Sequence, residues 1–147
     1  MAANSYARRK LLAAPLLLLA GRAAASERLR FEDLYAGWSV TGLTFSPLAR
    51  TLAGKGVVMS GFMAPPLKAD ADFFVLTREP MSVCPFCSSD AAWPPDIVVA
   101  YLGHAAQPTS PSQMIEVTGT LELGSWTDPA SGFVSQARLR DVRLRRN

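Results

Sequence analysis

Short runs of apolar residues recur along the chain after residue 55, and in one of them apolar and polar residues alternate with the period of two that is typical of β-strands. The segment 114–123 is this case, because one face carries Ile115, Val117, Leu121 and Leu123 and the other carries Glu116, Thr118, Thr120 and Glu122. Four further segments are rich in β-branched or aromatic residues and bounded by Gly, Pro or Asp, namely 56–63, 72–77, 96–102 and 132–144. The pattern predicts five strands.

Interruptions of the alternation indicate that these strands are bent. Gly61 and Gly119 break otherwise regular strands, as expected where a strand turns the corner of a barrel. In the last segment, the apolar face shifts by one extra residue, which predicts a β-bulge near Asp141. Five short, bent strands without an amphipathic helix of ordinary length favour a small closed or nearly closed barrel, and the OB type is the best match.

One short helix is predicted ahead of these strands. Ser46 is a suitable N-cap, Pro47 suits the first helical position, and Gly54 marks the end. The predicted fold class is therefore all-β: an OB-like five-stranded barrel with a short N-terminal helix.

The first 25 residues have the pattern of a signal peptide. Basic residues at 8–10 precede an apolar run over 11–20, and small residues up to Ala25 form a cleavage context. The run is about half the ~20 residues that span a bilayer, so no stable membrane anchor is expected after cleavage. The paired arginines leave Sec and twin-arginine export both open. We expect a periplasmic or secreted protein with a single domain over 26–147.

The charge of the mature chain is close to neutral. The whole chain has 15 Lys+Arg and 12 Asp+Glu, but four of the basic residues lie in the signal segment, which leaves 11 against 12. A nucleic-acid partner therefore gains no support from the charge. The basic stretch RLRDVRLRR, over 138–146, is predicted to be a solvated strand face and tail.

Candidate chemistry centres on Cys84 and Cys87, the two cysteines of the chain, in the stretch CPFC. Such a pair can chelate zinc or copper, but zinc takes four ligands in structural sites. Asp90, Asp96 and His104 are candidates to complete the set, although His104 lies beyond the next strand. Soft thioethers at Met63 and Met81 would suit Cu(I); the alternative is that the aspartates are turn residues and the methionines fill the core.

Two other interpretations of the pair stay open. C-P-F-C also occurs in glutaredoxin-like active sites, which would make the protein a periplasmic thiol–disulfide oxidoreductase. That chemistry requires a helix after the first cysteine, and Pro94 and Pro95 end the following stretch within nine residues. Alternatively, a Cys84–Cys87 disulfide only pins a loop in an oxidising compartment.

The order of these features resembles the DUF3299 group of small exported bacterial proteins. The group shows a leucine, Gly-Lys, a strand ending in Gly-aromatic and Pro, a second strand, a Cys-containing loop and a Pro-rich lead into another strand. Here the features fall on Leu52, Gly54, Lys55, Gly61, Phe62, Pro65, Cys84, Pro94, Pro95 and Ile97. The resemblance covers roughly 52–123 and implies an OB-like exported protein tied to metal-responsive or transporter-associated envelope systems. The family loop carries a His shortly after its Cys, and this chain departs from that pattern.

Enzymatic signatures are sparse in the chain. There is one His and neither a G-x-S-x-G nor an H-E-x-x-H motif, so a hydrolase triad or a zinc protease is not indicated. The aromatic residues could form a ligand-stacking face, but most are expected in the core of so small a barrel: Trp38, Phe62, Phe73, Phe74, Phe86, Trp93 and Trp126. We expect a non-enzymatic protein that binds a metal ion, an envelope partner protein or a transporter component through the Cys84/Cys87 loop.

Overall fold

The computed structural model of the chain describes residues 25–40, 42–66, 71–82, 93–103, 107 and 109–146. Most of this part is strand, in the order β1 (Glu27–Arg28), β2 (Tyr35–Ser39), β3 (Gly42–Phe45), β4 (Gly56–Met63), β5 (Phe73–Thr77), β6 (Ile97–Tyr101), β7 (Met114–Thr127) and β8 (Val134–Arg146). A 3₁₀ turn covers Phe31–Asp33, and a helix, α1, covers Pro47–Leu52. Neither helical piece in the described ranges has the length and apolarity to cross a membrane. The predicted signal peptide lies outside them, apart from its last residue, Ala25.

Five strands close into a ring in the order β4-β5-β6-β8-β7 and back to β4. The β6–β8 pair is parallel and the other pairs are antiparallel. Numbered within the ring, this order is 1-2-3-5-4, the connectivity of an OB barrel. β1 adds to the ring on the outside, in parallel with the first half of β4. The prediction of an all-β OB-like barrel is confirmed.

Bending of the strands depends on two glycines. β4 pairs with β7 along its whole length up to Phe62 and then with β5 at its end. Gly61 lies at this change of partner, where a Cβ atom would come within 2.5 Å of the Thr77 carbonyl oxygen. No residue with a side chain fits there without moving backbone, so glycine is required for the close approach.

The predicted bulge in β8 is also confirmed. Thr118 pairs with Arg143 and Thr120 with Arg140, so that two residues of β8 lie opposite Gly119. Asp141 has φ 52°, the left-handed conformation that bulges often contain. A Cβ at Gly119 would lie 2.8 Å from the Arg140 carbonyl oxygen. The bulge returns the apolar face of β8 to the interior after the extra residue.

The inward faces of the ring form one core with α1. Its largest fully buried members include Met59, Leu76, Ile115, Leu121 and Leu139. The helix begins as predicted, since the Ser46 Oγ accepts a 3.0 Å hydrogen bond from the Ala49 amide. Ala49 and Leu52 bury their side chains in the core. The short helix therefore packs against the barrel core.

A hairpin of β2 and β3 stands apart from the ring and was not predicted. Its two strands pair only with each other among the described residues. The rings of Tyr35 and Phe45 stack at its base with centroids 5.1 Å apart. Trp38 and Val40, which are both exposed, lie towards the end of the hairpin that is opposite this base. The connection at 40–41 is Val-Thr, which lacks the Gly or Asn-Gly signal by which short hairpins are recognised.

Candidate functional site

The outer face of β5 and β6 is the surface on which OB domains commonly bind ligands. In this chain that face is covered by other parts of the same molecule. Phe73, Val99 and Tyr101 are buried beneath Trp126 and Phe133, which come from β7 and from the connection to β8. Val75 and Ile97 are likewise buried next to Trp93. A ligand cannot reach this face without displacing the covering residues.

Arginine side chains stack on the aromatic residues that lie over the outer face of β5 and β6. The Arg140 guanidinium lies 4.3 Å from the Tyr101 ring centroid and 4.1 Å from that of Trp126. Its Nε and the Nε of Arg138 both donate to one carboxylate oxygen of Glu122, at 3.1 and 2.8 Å. Such cation–π contacts strengthen when the cation is partly desolvated. The solvated-face prediction for 138–146 is wrong for Arg138, which is buried, because these contacts replace its hydration.

Tyr101 carries a buried hydroxyl beneath this stack. Its oxygen has no hydrogen-bond partner in the described part of the chain. Burial, together with the negative charge of Asp128, raises the pKa of Tyr101 to about 12, although Arg140 and Arg138 oppose this. The phenol therefore stays protonated at neutral pH and is not available as a general base.

The structure describes the foot of the cysteine-containing loop, by which we mean the residues where the chain leaves β5 and enters β6. Thr77 and Ile97 are the last cross-strand pair of β5 and β6. Beyond them the Arg78 amide donates to the Asp96 carbonyl oxygen at 3.0 Å, and the Arg78 Nε lies 3.1 Å from the Asp96 Oδ1. The two ends of the intervening chain are thus held side by side at this rim of the barrel, which we call the cysteine rim.

Cys84, Cys87, Asp90 and His104, the residues predicted to bind metal, all lie outside the described residues, as does Phe86. Their nearest described neighbours lie at different ends of β6. Ser82 and Trp93 flank the cysteine segment near the start of the strand, and Gly103 precedes His104 beyond its end. A five-residue strand separates the two ends by about 13 Å at ~3.3 Å per residue.

Two of the described candidate ligands, Asp96 and Met63, are placed as the alternative interpretation predicted, whereas Met81 is only partly buried. Asp96 is a turn residue committed to its ion pair with Arg78, and Met63 is buried in the core. Met81 lines a small cavity at the foot of the loop, with Pro94 and Ile97. Within the described ranges, no three His, Cys, Asp or Glu side chains come together as a metal site would require.

A separate pocket of about 250 Å³ opens between the hairpin and the barrel. Its described walls include Tyr35, Trp38, Leu43, Phe45, Trp93 and Gln136. The Trp93 Nε1 donates a 2.8 Å hydrogen bond to the Tyr35 hydroxyl, which ties the hairpin to the foot of the cysteine loop. Sequence reasoning missed this pocket and expected most of the seven aromatic residues it considered, which include Trp38, in the core. An available signal was the run from 34 to 49, which contains three aromatic residues and no charged one.

Comparison with known proteins gives few matches. No protein-family model matches the chain, and no curated protein matches it. Among solved structures, it is similar to the crystal structure of a DUF3299 family protein from Pseudomonas aeruginosa PAO1, with 14% sequence identity and a TM-score of 0.49. The similarity covers 84% of this chain and 97% of that chain. The solved protein thus carries the name of the family that the sequence resemblance indicates.

Proposed function

We propose that the protein is an exported, non-enzymatic OB-like binding protein of the bacterial envelope. In this proposal the thiolates of Cys84 and Cys87 hold a zinc or copper ion at the cysteine rim. The observation that supports it is the foot of the loop, where Arg78 and Asp96 hold both ends of the cysteine segment together. Because both ends of the loop are held together, the loop has fewer conformations available before it binds a metal. Bringing two ligands to one ion therefore costs less conformational entropy.

The remaining ligands are expected from the same rim. Asp90 lies within the cysteine segment, whereas His104 leaves from the far end of β6. Met81, at the foot of the loop, offers a thioether that Cu(I) would accept and Zn²⁺ would not prefer. The proposal therefore favours Asp90 for zinc and Met81 for copper, and an envelope partner or transporter component would exchange the ion at this rim.

Metal titration tests the proposal directly. The reduced mature protein is expected to bind about one Zn²⁺ or Cu(I) per chain and to release protons, because ligating thiols must become thiolates. Cys84→Ser and Cys87→Ser should each abolish tight binding, measured by competition with a chromogenic chelator. Asp90→Ala should weaken zinc, and Met81→Leu should weaken copper. Met63→Leu, in the core, is the matched control and should leave both affinities unchanged.

Absence of metal uptake by the reduced protein would refute metal binding. If in addition one cysteine had a measured pKa clearly below the ~8.5 of an ordinary thiol and the dithiol reduced a model disulfide rapidly, the protein would be a thiol–disulfide oxidoreductase. If freshly purified protein contained no free thiols and the double Ser variant folded with little loss of stability, the pair would be a structural disulfide.

Export is tested separately from metal binding. Protein recovered from its native host is expected to begin at or near Ser26, as measured by mass spectrometry of the intact chain. Arg8→Lys combined with Arg9→Lys should block export only if the twin-arginine route is used, because that route requires the paired arginines. A cytosolic protein with an intact N-terminus would overturn the export proposal.

A further inference from the structure

The pocket between the hairpin and the barrel has aromatic walls on more than one side. Tyr35 and Phe45 stack on each other at the base of the hairpin. Trp38 borders the same pocket and leaves 67% of its surface exposed. An exposed tryptophan beside stacked rings offers flat surface on which a ring-shaped ligand could lie. The volume of about 250 Å³ is below the ~300–1,000 Å³ of pockets for drug-sized ligands, so it suits one ring.

The charge of the pocket selects against ions. Every described residue that lines it is uncharged, and the hairpin lies within the charge-free run 34–49. A carboxylate or ammonium group placed here would lose hydration without gaining a charged partner among the described residues. The ligand that fits is therefore neutral.

Two polar groups nevertheless point to a ligand that makes hydrogen bonds. The Tyr35 hydroxyl accepts from the Trp93 Nε1, and its own proton has no acceptor in the described part of the chain. The half-buried Gln136 side chain makes no hydrogen bond among those same residues, although its amide can both donate and accept. A wholly apolar ligand would bury these groups without partners, which is unfavourable because each would lose its hydrogen bonds to water.

We propose that this pocket binds one neutral sugar ring of a glycan. A pyranose has an apolar C–H face that stacks on an aromatic ring and hydroxyl groups at its edge, and these match Trp38 and Gln136 respectively. The site is independent of the metal proposal, because it requires neither cysteine. It also differs from the usual OB ligand face, which the covering residues close here.

Sugar titration tests the pocket. The probes are glucose, N-acetylglucosamine and their neutral β-linked trisaccharides, with glucuronate as the charged counterpart; binding is followed by tryptophan fluorescence and saturation-transfer NMR. At least one neutral probe is expected to bind with a Kd near or below about 1 mM, a usual scale for weak binding. Glucuronate should bind more weakly than glucose. Trp38→Ala and Gln136→Leu should each weaken binding at least about tenfold, because each removes one half of the recognition.

Val40→Ala is the matched control, since Val40 belongs to the same hairpin and is fully exposed but does not line the pocket. Its affinity for the sugars should equal that of the unaltered protein, and circular dichroism should show that all variants are folded. No binding of any neutral probe up to about 10 mM, ten times that Kd, would overturn the proposal. Indole binding that Gln136→Leu strengthens, without sugar binding, would show an apolar pocket instead. Retention of sugar binding by the Cys84→Ser variant, together with unchanged metal uptake by the Trp38→Ala variant, would separate this site from the metal site.

Discussion

Replacing Gly61 with valine is expected to lower the free energy of unfolding of the mature domain by more than about 3 kcal/mol. A Cβ at this position would meet the Thr77 carbonyl oxygen at 2.5 Å and the Leu76 and Phe31 side chains at 3.2 Å. The carbonyl belongs to the backbone of β5, so it cannot move without disturbing the β4–β5 pairing that helps to close the ring. Urea unfolding followed by circular dichroism measures the loss.

Gly56→Ala is the matched control for this prediction. It adds a methyl group to a glycine of the same strand, but the contact is the Ser26 side chain at 3.1 Å, which can rotate away. Its effect should stay within about 0.5 kcal/mol, the range of surface substitutions. If Gly61→Val were as stable as Gly56→Ala, the close crossing of β4 and β5 would be wrong.

The barrel could be predicted from the sequence because each of its strands is recognisable from its own residues. The β-branched and aromatic content of 56–63 predicts the bounds that β4 has, Gly56–Met63, and the one-residue shift in β8 locates the bulge at Asp141. Side-chain period and glycine positions are set by each strand on its own, so they can be read without knowledge of the partners. β7 and β8 run on to Thr127 and Arg146, beyond the predicted ends, because their mutual pairing continues past the apolar stretch.

What could not be predicted depends on contacts between distant parts of the chain. The β2–β3 hairpin has neither Gly nor Asn-Gly at its two connecting positions, and its base is held by Tyr35 and Trp93, which are far apart in sequence. The burial of Arg138 requires the carboxylate of Glu122 and the ring of Trp126, which no local pattern reports. Solvation is the default expectation for an arginine, and only a specific tertiary environment reverses it.

The same distinction applies to the two candidate sites. The Cys84/Cys87 pair is a local motif and is visible in the sequence, whereas its surroundings depend on the rim to which the loop is attached. The hairpin pocket combines the hairpin with Trp93 and with Gln136 of β8. The Cys84/Cys87 site could therefore be proposed from the sequence, whereas the hairpin pocket could not, because its residues come together only in the folded chain.

Glu122→Gln is expected to lower the free energy of unfolding by about 1–2 kcal/mol at pH 7. Removing one partner of a buried ion pair costs about 3–5 kcal/mol, because the other charge is left uncompensated. Arg138 is only 9% exposed, but Glu122 is 40% exposed, so water screens the pair and reduces the loss. Glu116→Gln is the matched control: Glu116 lies on the same strand and also contacts two arginines, Arg28 and Arg145, which are well exposed. Its loss should be at most about 1 kcal/mol.

The pH dependence identifies the carboxylate as the cause. Partial burial alone would raise the pKa of Glu122, but hydrogen bonds and positive charge from Arg140 and Arg138 outweigh it and hold the pKa below its ordinary value of 4.5. A group whose pKa is lowered in the folded state stabilises the protein above its unfolded-state pKa, and it loses this effect as the pH falls through the folded-state pKa. The stability difference between the unaltered protein and Glu122→Gln should therefore be constant near neutral pH and shrink as the pH falls below about 4.5, the ordinary pKa of the group. Urea unfolding of both proteins from pH 7 to pH 3 measures it. A difference that persisted unchanged in acid would assign the loss to packing of the side chain and not to its charge.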